Sequence, residues 1–174
     1  MIDYKSERLK FLSLQGKVRR LLDHHQIFKP FRIEKNVVLK GEHGRKSYFD
    51  YLLVSKIDNE QHYTFGIIIK DWQRYCDYRF IFTIEKLLKE TVGLSNIILI
   101  SNNFSEPAQL WAKKLNILIM TSGEIVTILN SDAKNLDTVK PSILKGLSGD
   151  TQYILKSEKK VPQDIKKLFS KKEN

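Results

Sequence analysis

The chain has little cysteine, proline or glycine: one, four and eight residues of each among 174. The single cysteine, Cys76, excludes an internal disulfide, and the four histidines have no spacing typical of a zinc site. No apolar run approaches the roughly 20 residues that span a bilayer, and residues 1–8 lack the apolar stretch of a signal peptide. These absences predict a cytoplasmic globular protein that does not associate with membranes.

Acidic residues are also scarce, at 20 against 30 Lys and Arg, which gives a net charge of +10. The excess lies at the two ends. Residues 1–46 hold twelve basic and five acidic side chains, and residues 156–174 hold seven and three. Basic flanks beside a nearly neutral middle fit contact with a polyanion such as the DNA backbone. Lys-rich ends that only increase solubility explain the same distribution, so charge alone leaves both readings open.

The apolar pattern predicts alternating strands and helices. Helical spacing covers residues 6–25, 80–91 and 106–115. Apolar runs typical of strands cover residues 28–39, 51–55, 63–69, 96–101 and 117–120. Residues 123–129 fit a short helix or a strand. This order predicts an α/β fold over residues 1–145, with helices on both faces of a mixed sheet, and a Lys-rich extension over residues 146–174 that is helical in patches.

The second and third predicted strands form a hairpin with a candidate site at its open end. A polar turn over residues 58–61, centred on Glu60, pairs Asp50 with Lys70. Residues directly opposite in an antiparallel pair have Cβ atoms roughly 5 Å apart and share a face of the sheet. An acid and a Lys placed this way can act on one phosphate group. Ile68 is expected on the same face.

Four polar residues flank this open end and are candidate DNA-phosphate contacts: Arg45, Lys46, Gln73 and Arg74. The aromatic residues that follow Lys70 either stack on bases or pack a helix onto the sheet. A nucleotide-binding α/β domain is a weaker hypothesis, because no glycine-rich turn joins a strand to a helix. Gly44 and its neighbours resemble a phosphate-binding loop only faintly, since a strand follows where a helix is required.

Three stretches carry a family resemblance: residues 48–50, residues 66–72 and residues 98–108, followed by 110–112 and 116–119. In these stretches the chain resembles the restriction-endonuclease-like fold, and within it Mrr-type restriction nucleases, which cut DNA. The resemblance spans residues 14–125 and implies three αβα layers around a central mixed sheet. Asn103 and Asn116 stand where the family usually has glycine, which asparagine replaces with little strain.

The resemblance also implies roles for the hairpin residues. Asp50 would bind Mg²⁺ or Mn²⁺, and Lys70 would stabilise charge on the phosphate. Ile68, two residues before Lys70, stands where the family has Glu or Gln and supplies no side-chain oxygen. Some members place a Glu on the first helix, and here that position is Gln15. Glu34, Glu42 and Asp71 are nearby candidate replacements, although the sequence alone does not place their carboxylates in the site.

Two functions therefore remain open. The first is a DNA-binding protein with an altered, metal-dependent phosphodiester-hydrolase site that uses Asp50 and Lys70. The second is a non-catalytic module that binds DNA or protein on a nuclease fold, as a subunit of a defence or repair complex. Nucleases that cut both strands often pair two copies, which adds a homodimer to the expectations for the first.

Overall fold

The computed structural model describes residues 8–9, 11–55 and 63–154. Within these residues the chain forms one five-stranded sheet. Its strands are β1 (Phe31–Lys40), β2 (Lys46–Ser55), β3 (Thr64–Lys70), β4 (Asn96–Ser101) and β5 (Leu118–Thr121). The helices that are longer than one turn and have both ends among the described residues are α1 (Leu14–His24), α2 (Tyr78–Glu90), α3 (Glu106–Lys114), α4 (Ser122–Asn130) and α5 (Pro141–Leu147).

The strands lie in chain order from β1 to β5. The first three are antiparallel, and β3, β4 and β5 are parallel. One core packs α1, α4 and α5 on one face of the sheet, and a second core packs α2 and α3 on the other. The predicted α/β class, with a mixed sheet between two helical layers, is confirmed. Among the described residues, no helix combines the length and apolar character needed to cross a bilayer.

Helix caps explain where several elements begin. The helix predicted over residues 6–25 is interrupted: Arg8 and Leu9 are helical, residues 11–13 are not, and α1 begins at Leu14, where the Ser13 side chain accepts a hydrogen bond from the Gly16 N–H. Ser6 lies outside the described residues. The segment 123–129, open between helix and strand, is part of α4. There the Thr121 hydroxyl and the Glu124 carboxylate form a capping box.

The hairpin of β1 and β2 bends sharply at Asn36 and Asp50. The pairing runs from Lys35–Tyr51 to Val37–Phe49 and skips the pair between them, where Asn36 adopts a φ of 52°. Strict alternation would put Phe49 on the face of Tyr51, but it packs into the second core. Beyond the bend the hairpin therefore lies over that second core.

The tip of this hairpin reaches the C-terminal end of α2. Gly41 forms an isolated antiparallel bridge with Thr91, and the Glu42 N–H donates to the Glu90 carbonyl at 3.2 Å. The Thr91 hydroxyl also lies 3.5 Å from the Ser47 hydroxyl in a buried position. These contacts fix the bent half of the hairpin against the α2 layer.

The C-terminal part of the described chain belongs to the packed domain. The domain boundary predicted between residues 145 and 146 falls within α5. Beyond it, the Tyr153 carbonyl accepts a hydrogen bond from Asn96 Nδ2 at 2.9 Å, and Ile154 packs against the first core. The rest of the predicted extension, residues 155–174, lies outside the described residues.

We expect Gly66→Ala to lower the free energy of unfolding by about 1–3 kcal/mol. A Cβ at Gly66 would lie 2.5 Å from Cδ1 of Phe49, so the ring that covers the bend would have to move. Gly123→Ala is the matched control, because its Cβ would meet no described atom closer than 3.9 Å. Urea denaturation should show Gly123→Ala neutral or stabilised, and equal losses in both variants would contradict the close packing.

A second prediction concerns pH. His25 is only 2% exposed, its Nδ1 accepts a hydrogen bond from the Ile27 N–H, and burial lowers its pKa, which the Asn135 carbonyl offsets only in part. The folded protein therefore protonates His25 at a lower pH than the unfolded chain does, in which the histidine pKa is about 6.5. Stability should fall as pH drops below that value.

The measurement is the urea midpoint at about pH 7.5 and about pH 5.5. The parent should lose stability between the two, and His25→Asn should lose less. His24→Asn changes the exposed neighbouring histidine and should behave as the parent does. A His25→Asn variant with the full pH-dependent loss would show that another group causes it.

Candidate functional site

The side chain of Asp50 lies at the bend, where β2 separates from β3. Its Oδ2 accepts a hydrogen bond from the Ile69 main-chain N–H at 2.8 Å, and its Oδ1 accepts one from Gln15 Nε2 on α1 at 3.0 Å. The regular β2–β3 pairing ends at Tyr51 and Ile67. If the pairing continued, a main-chain carbonyl of β2 would accept the hydrogen bond of the Ile69 N–H; here the Asp50 carboxylate accepts it instead. Asp50 is therefore held between two elements.

The predicted register of this hairpin is wrong by two residues. Tyr51 pairs with Ile67, so the same register continued by one residue places Asp50 opposite Ile68 and not opposite Lys70. Because the register differs from the prediction by two residues, Lys70 stays on the expected face of the sheet but lies two residues beyond the position opposite Asp50. The turn at residues 58–61, on which the prediction rested, lies outside the described residues.

Lys70 places its ammonium group near two aromatic rings and forms no ion pair with Asp50. Its ammonium lies 5.7 Å from the centroid of Trp72 and 5.5 Å from that of Phe80, on the α2 side of the sheet. It forms no ion pair with an acidic side chain in the described part of the chain. The structure thus brings the two residues into neighbouring positions without joining their charged groups.

Two positions at which the family resemblance leads one to expect acidic or polar metal ligands, Ile68 and Gln15, carry no charge in this chain. Ile68 is 6% exposed and packs in the second core, so hydrocarbon fills the place of the family's Glu or Gln. Gln15 lies beside Asp50, where the resemblance places it, and directs an N–H group at the carboxylate. Mg²⁺ favours one or two carboxylates in an octahedral oxygen set. A single carboxylate that already accepts two hydrogen bonds fits that requirement poorly.

The nearby acids do not replace the missing ones. Glu34 on β1 pairs with Arg32 at 2.6 Å, and Asp71 accepts a hydrogen bond from Asn102 at 2.8 Å. Glu42 lies at the hairpin tip, at the far end of α2. No cluster of three or more His, Cys, Asp and Glu side chains suited to a metal ion occurs in the described ranges. The predicted Mg²⁺ or Mn²⁺ stays a prediction.

The four candidate DNA contacts separate into two groups. Gln73 and Arg74 follow β3 and lie near Lys70, where the Arg74 guanidinium is 5.1 Å from the Trp72 centroid. Arg45 pairs with Glu90 at 3.7 Å at the C-terminal end of α2, and Lys46 is the next residue. Since α2 has 13 residues, about 20 Å separates its ends. The expectation that all four flank Asp50 is wrong.

The segment between β3 and α2 is fixed to the loop after β4. Asn102 Nδ2 donates to Asp71 and, at 3.1 Å, to the Trp72 carbonyl. Cys76 and Phe104 form a parallel bridge, with hydrogen bonds of 2.9 and 3.0 Å on its two sides. Burial raises the pKa of the Cys76 thiol to about 11, which makes it unreactive at neutral pH. The segment at 71–77 is therefore a rigid part of the site.

Asn102 is a site residue that the sequence did not single out. Its position directly after a buried strand is a signal, since strand ends of parallel sheets meet at one edge. That edge also carries Asp50, Gln15, Lys70 and Arg74. We call it the carboxyl edge, defined by these five residues.

Asp50→Ala should lower the free energy of unfolding by about 1–3 kcal/mol, because it leaves the Ile69 N–H without its acceptor. Asp71→Ala is the matched control: it also removes a carboxylate at this edge, but one that accepts a side-chain hydrogen bond from Asn102, whose amide keeps the Trp72 carbonyl as a second acceptor. Its expected loss is within about 0.5 kcal/mol. Thermal denaturation of both variants would measure the difference, and equal losses would contradict a structural role for Asp50.

No family model matches the chain, and no curated protein matches it. Among solved structures, the chain is similar to the crystal structure of AF1548, a protein of unknown function. The two share 17% sequence identity with a TM-score of 0.48, and the alignment covers 79% of this chain and 76% of the other. A likeness this distant assigns no function.

Proposed function

We propose that the protein binds DNA through the carboxyl edge of its sheet and does not cut it. The proposal joins the resemblance to Mrr-type nucleases with the chemistry of this edge. It takes the second of the two functions that the sequence left open, with DNA as the partner.

The observation that carries the proposal is the pair of cations on Trp72. The charged groups of Lys70 and Arg74 lie within 6 Å of the centroid of one ring, and neither forms an ion pair with an acid in the described part of the chain. At the C-terminal half of α2, by contrast, Arg45, Lys86 and Lys89 are each paired with an acid of that helix. Two uncompensated cations at the edge of a sheet attract phosphate groups.

The absence of cleavage follows from the state of Asp50. Hydrolysis in the family needs carboxylates that gather a metal ion and a water, whereas Asp50 already holds α1 and β3 together. The residue opposite it, Ile68, is part of a core. Asp50 therefore serves as a structural acid beside a phosphate-binding surface.

We expect the double variant Lys70→Ala/Arg74→Ala to bind duplex DNA more weakly and with less dependence on salt. Each lost phosphate contact should reduce the slope of log affinity against log salt by about 0.9, so the pair should reduce it by about 1.8. Fluorescence anisotropy with a labelled duplex over a salt series measures this slope. The control is Lys86→Ala/Lys89→Ala, which removes the same charge from acid-paired positions on α2.

A supercoiled-plasmid assay with Mg²⁺ and with Mn²⁺, run on the same preparations, tests the second half of the proposal. The parent should nick no more plasmid than Asp50→Ala does. If the parent nicks the plasmid and Asp50→Ala does not, the protein is a nuclease and this half of the proposal is wrong. A parent that binds no duplex, or a control pair that loses as much slope as Lys70→Ala/Arg74→Ala, would overturn DNA binding at this edge.

A further inference from the structure

A cavity of about 280 Å³ opens beside Trp72, at the outer side of the first turn of α2. Its walls include Trp72, Arg74, Tyr75, Asp77, Arg79 and Phe80. The volume lies just below the roughly 300 Å³ at which ligand pockets begin. It therefore suits one small planar group with a short attachment.

Tyr75 is the aromatic residue of this region that has no ring partner within the described chain. Trp72 contacts Phe80, and Tyr78 contacts Phe82, with centroids 5.0 and 6.2 Å apart. Tyr75 is 65% exposed, and no aromatic ring in the described ranges packs on it. Its ring is available to stack on a planar ligand.

The cations of the cavity select the charge of that ligand. The Arg74 guanidinium lies 5.1 Å from the centroid of the Trp72 ring, and its N–H groups can donate to a phosphate. Arg79 and one acid, Asp77, line the same space, and the Asp77 carboxylate accepts hydrogen bonds from the Arg79 and Phe80 main-chain N–H groups. The two guanidinium groups therefore outnumber the single carboxylate. A cationic ligand of the kind that aromatic cages bind would be repelled here, while a planar group joined to a phosphate is attracted to both features.

The cavity is also held in shape before any ligand arrives. Asn102 fixes Asp71 and Trp72 on one side of Tyr75, and the bridge between Cys76 and Phe104 fixes the other side. A loop anchored on both sides loses little conformational freedom on binding.

From these features we infer that the cavity takes one unstacked nucleotide of a single strand, with the base against Tyr75 and the phosphate on Arg74 and Arg79. The inference rests on the proposed function and names a ligand for it. It adds a preference for unpaired DNA, at a bubble, an overhang or a frayed end, to the phosphate contacts that a duplex also makes.

The test compares a labelled oligothymidylate of about 15 nucleotides with a duplex of the same length, by fluorescence anisotropy at one salt concentration. Tyr75→Ala should weaken single-strand binding about tenfold and leave duplex binding unchanged, since stacking on one aromatic side chain carries that difference. Tyr75→Phe keeps the ring and should bind as the parent does. Tyr48→Ala is the matched control, because Tyr48 is 70% exposed on β2 and does not line the cavity.

The possible failures are distinguishable. If the parent binds duplex but Tyr75→Ala and Tyr48→Ala bind the single strand equally, or the parent fails to bind the single strand, the cavity inference is overturned and the proposed function stands. If Tyr75→Ala weakens both DNA forms equally, the preference for an unpaired nucleotide is overturned. A parent that binds neither form overturns the proposed function and the inference with it.

Discussion

The hydrogen bond from the Ile69 main chain to the Asp50 carboxylate is the constraint on which the rest of the structure depends. A strand that bends away from its neighbour leaves a main-chain N–H that needs another acceptor. The carboxylate provides that acceptor, so β2 can separate from β3 without leaving the Ile69 N–H unpaired. The bend then brings Phe49 over Gly66 and closes the second core, while Gln15 links the same carboxylate to α1.

The parallel half of the fold could be predicted from the sequence because its signals are local. Residues 97–100 form an unbroken apolar run typical of a strand buried on both faces, and the helices on either side of it keep a regular apolar spacing. The antiparallel half could not be placed as well. A register shift of two residues leaves every side chain on its own face, so alternation cannot detect it. The bend depends on a positive φ at Asn36, which the sequence does not distinguish from an ordinary polar strand residue.

The sequence predicts which residues form the candidate site but not where their side chains lie. The sequence identified Asp50, Lys70 and Gln15, and it showed that Ile68 replaces an acid. It did not show that the Lys70 ammonium lies over the rings of Trp72 and Phe80, since those rings come from a segment and a helix that only the tertiary fold brings there. The same residues that suggest a reaction centre are used here for anchoring one acid and presenting two cations.

The bridge between Cys76 and Phe104 joins the loop after β3 to the loop after β4. The segment after β3 and the segment after β4 are each hydrogen-bonded to the other at two places, so neither can change in length without disturbing its partner. Proteins descended from the same ancestor should therefore gain or lose residues in these loops together. Paired variation of that kind would reveal the same joined pair of loops in chains whose individual residues no longer resemble one another.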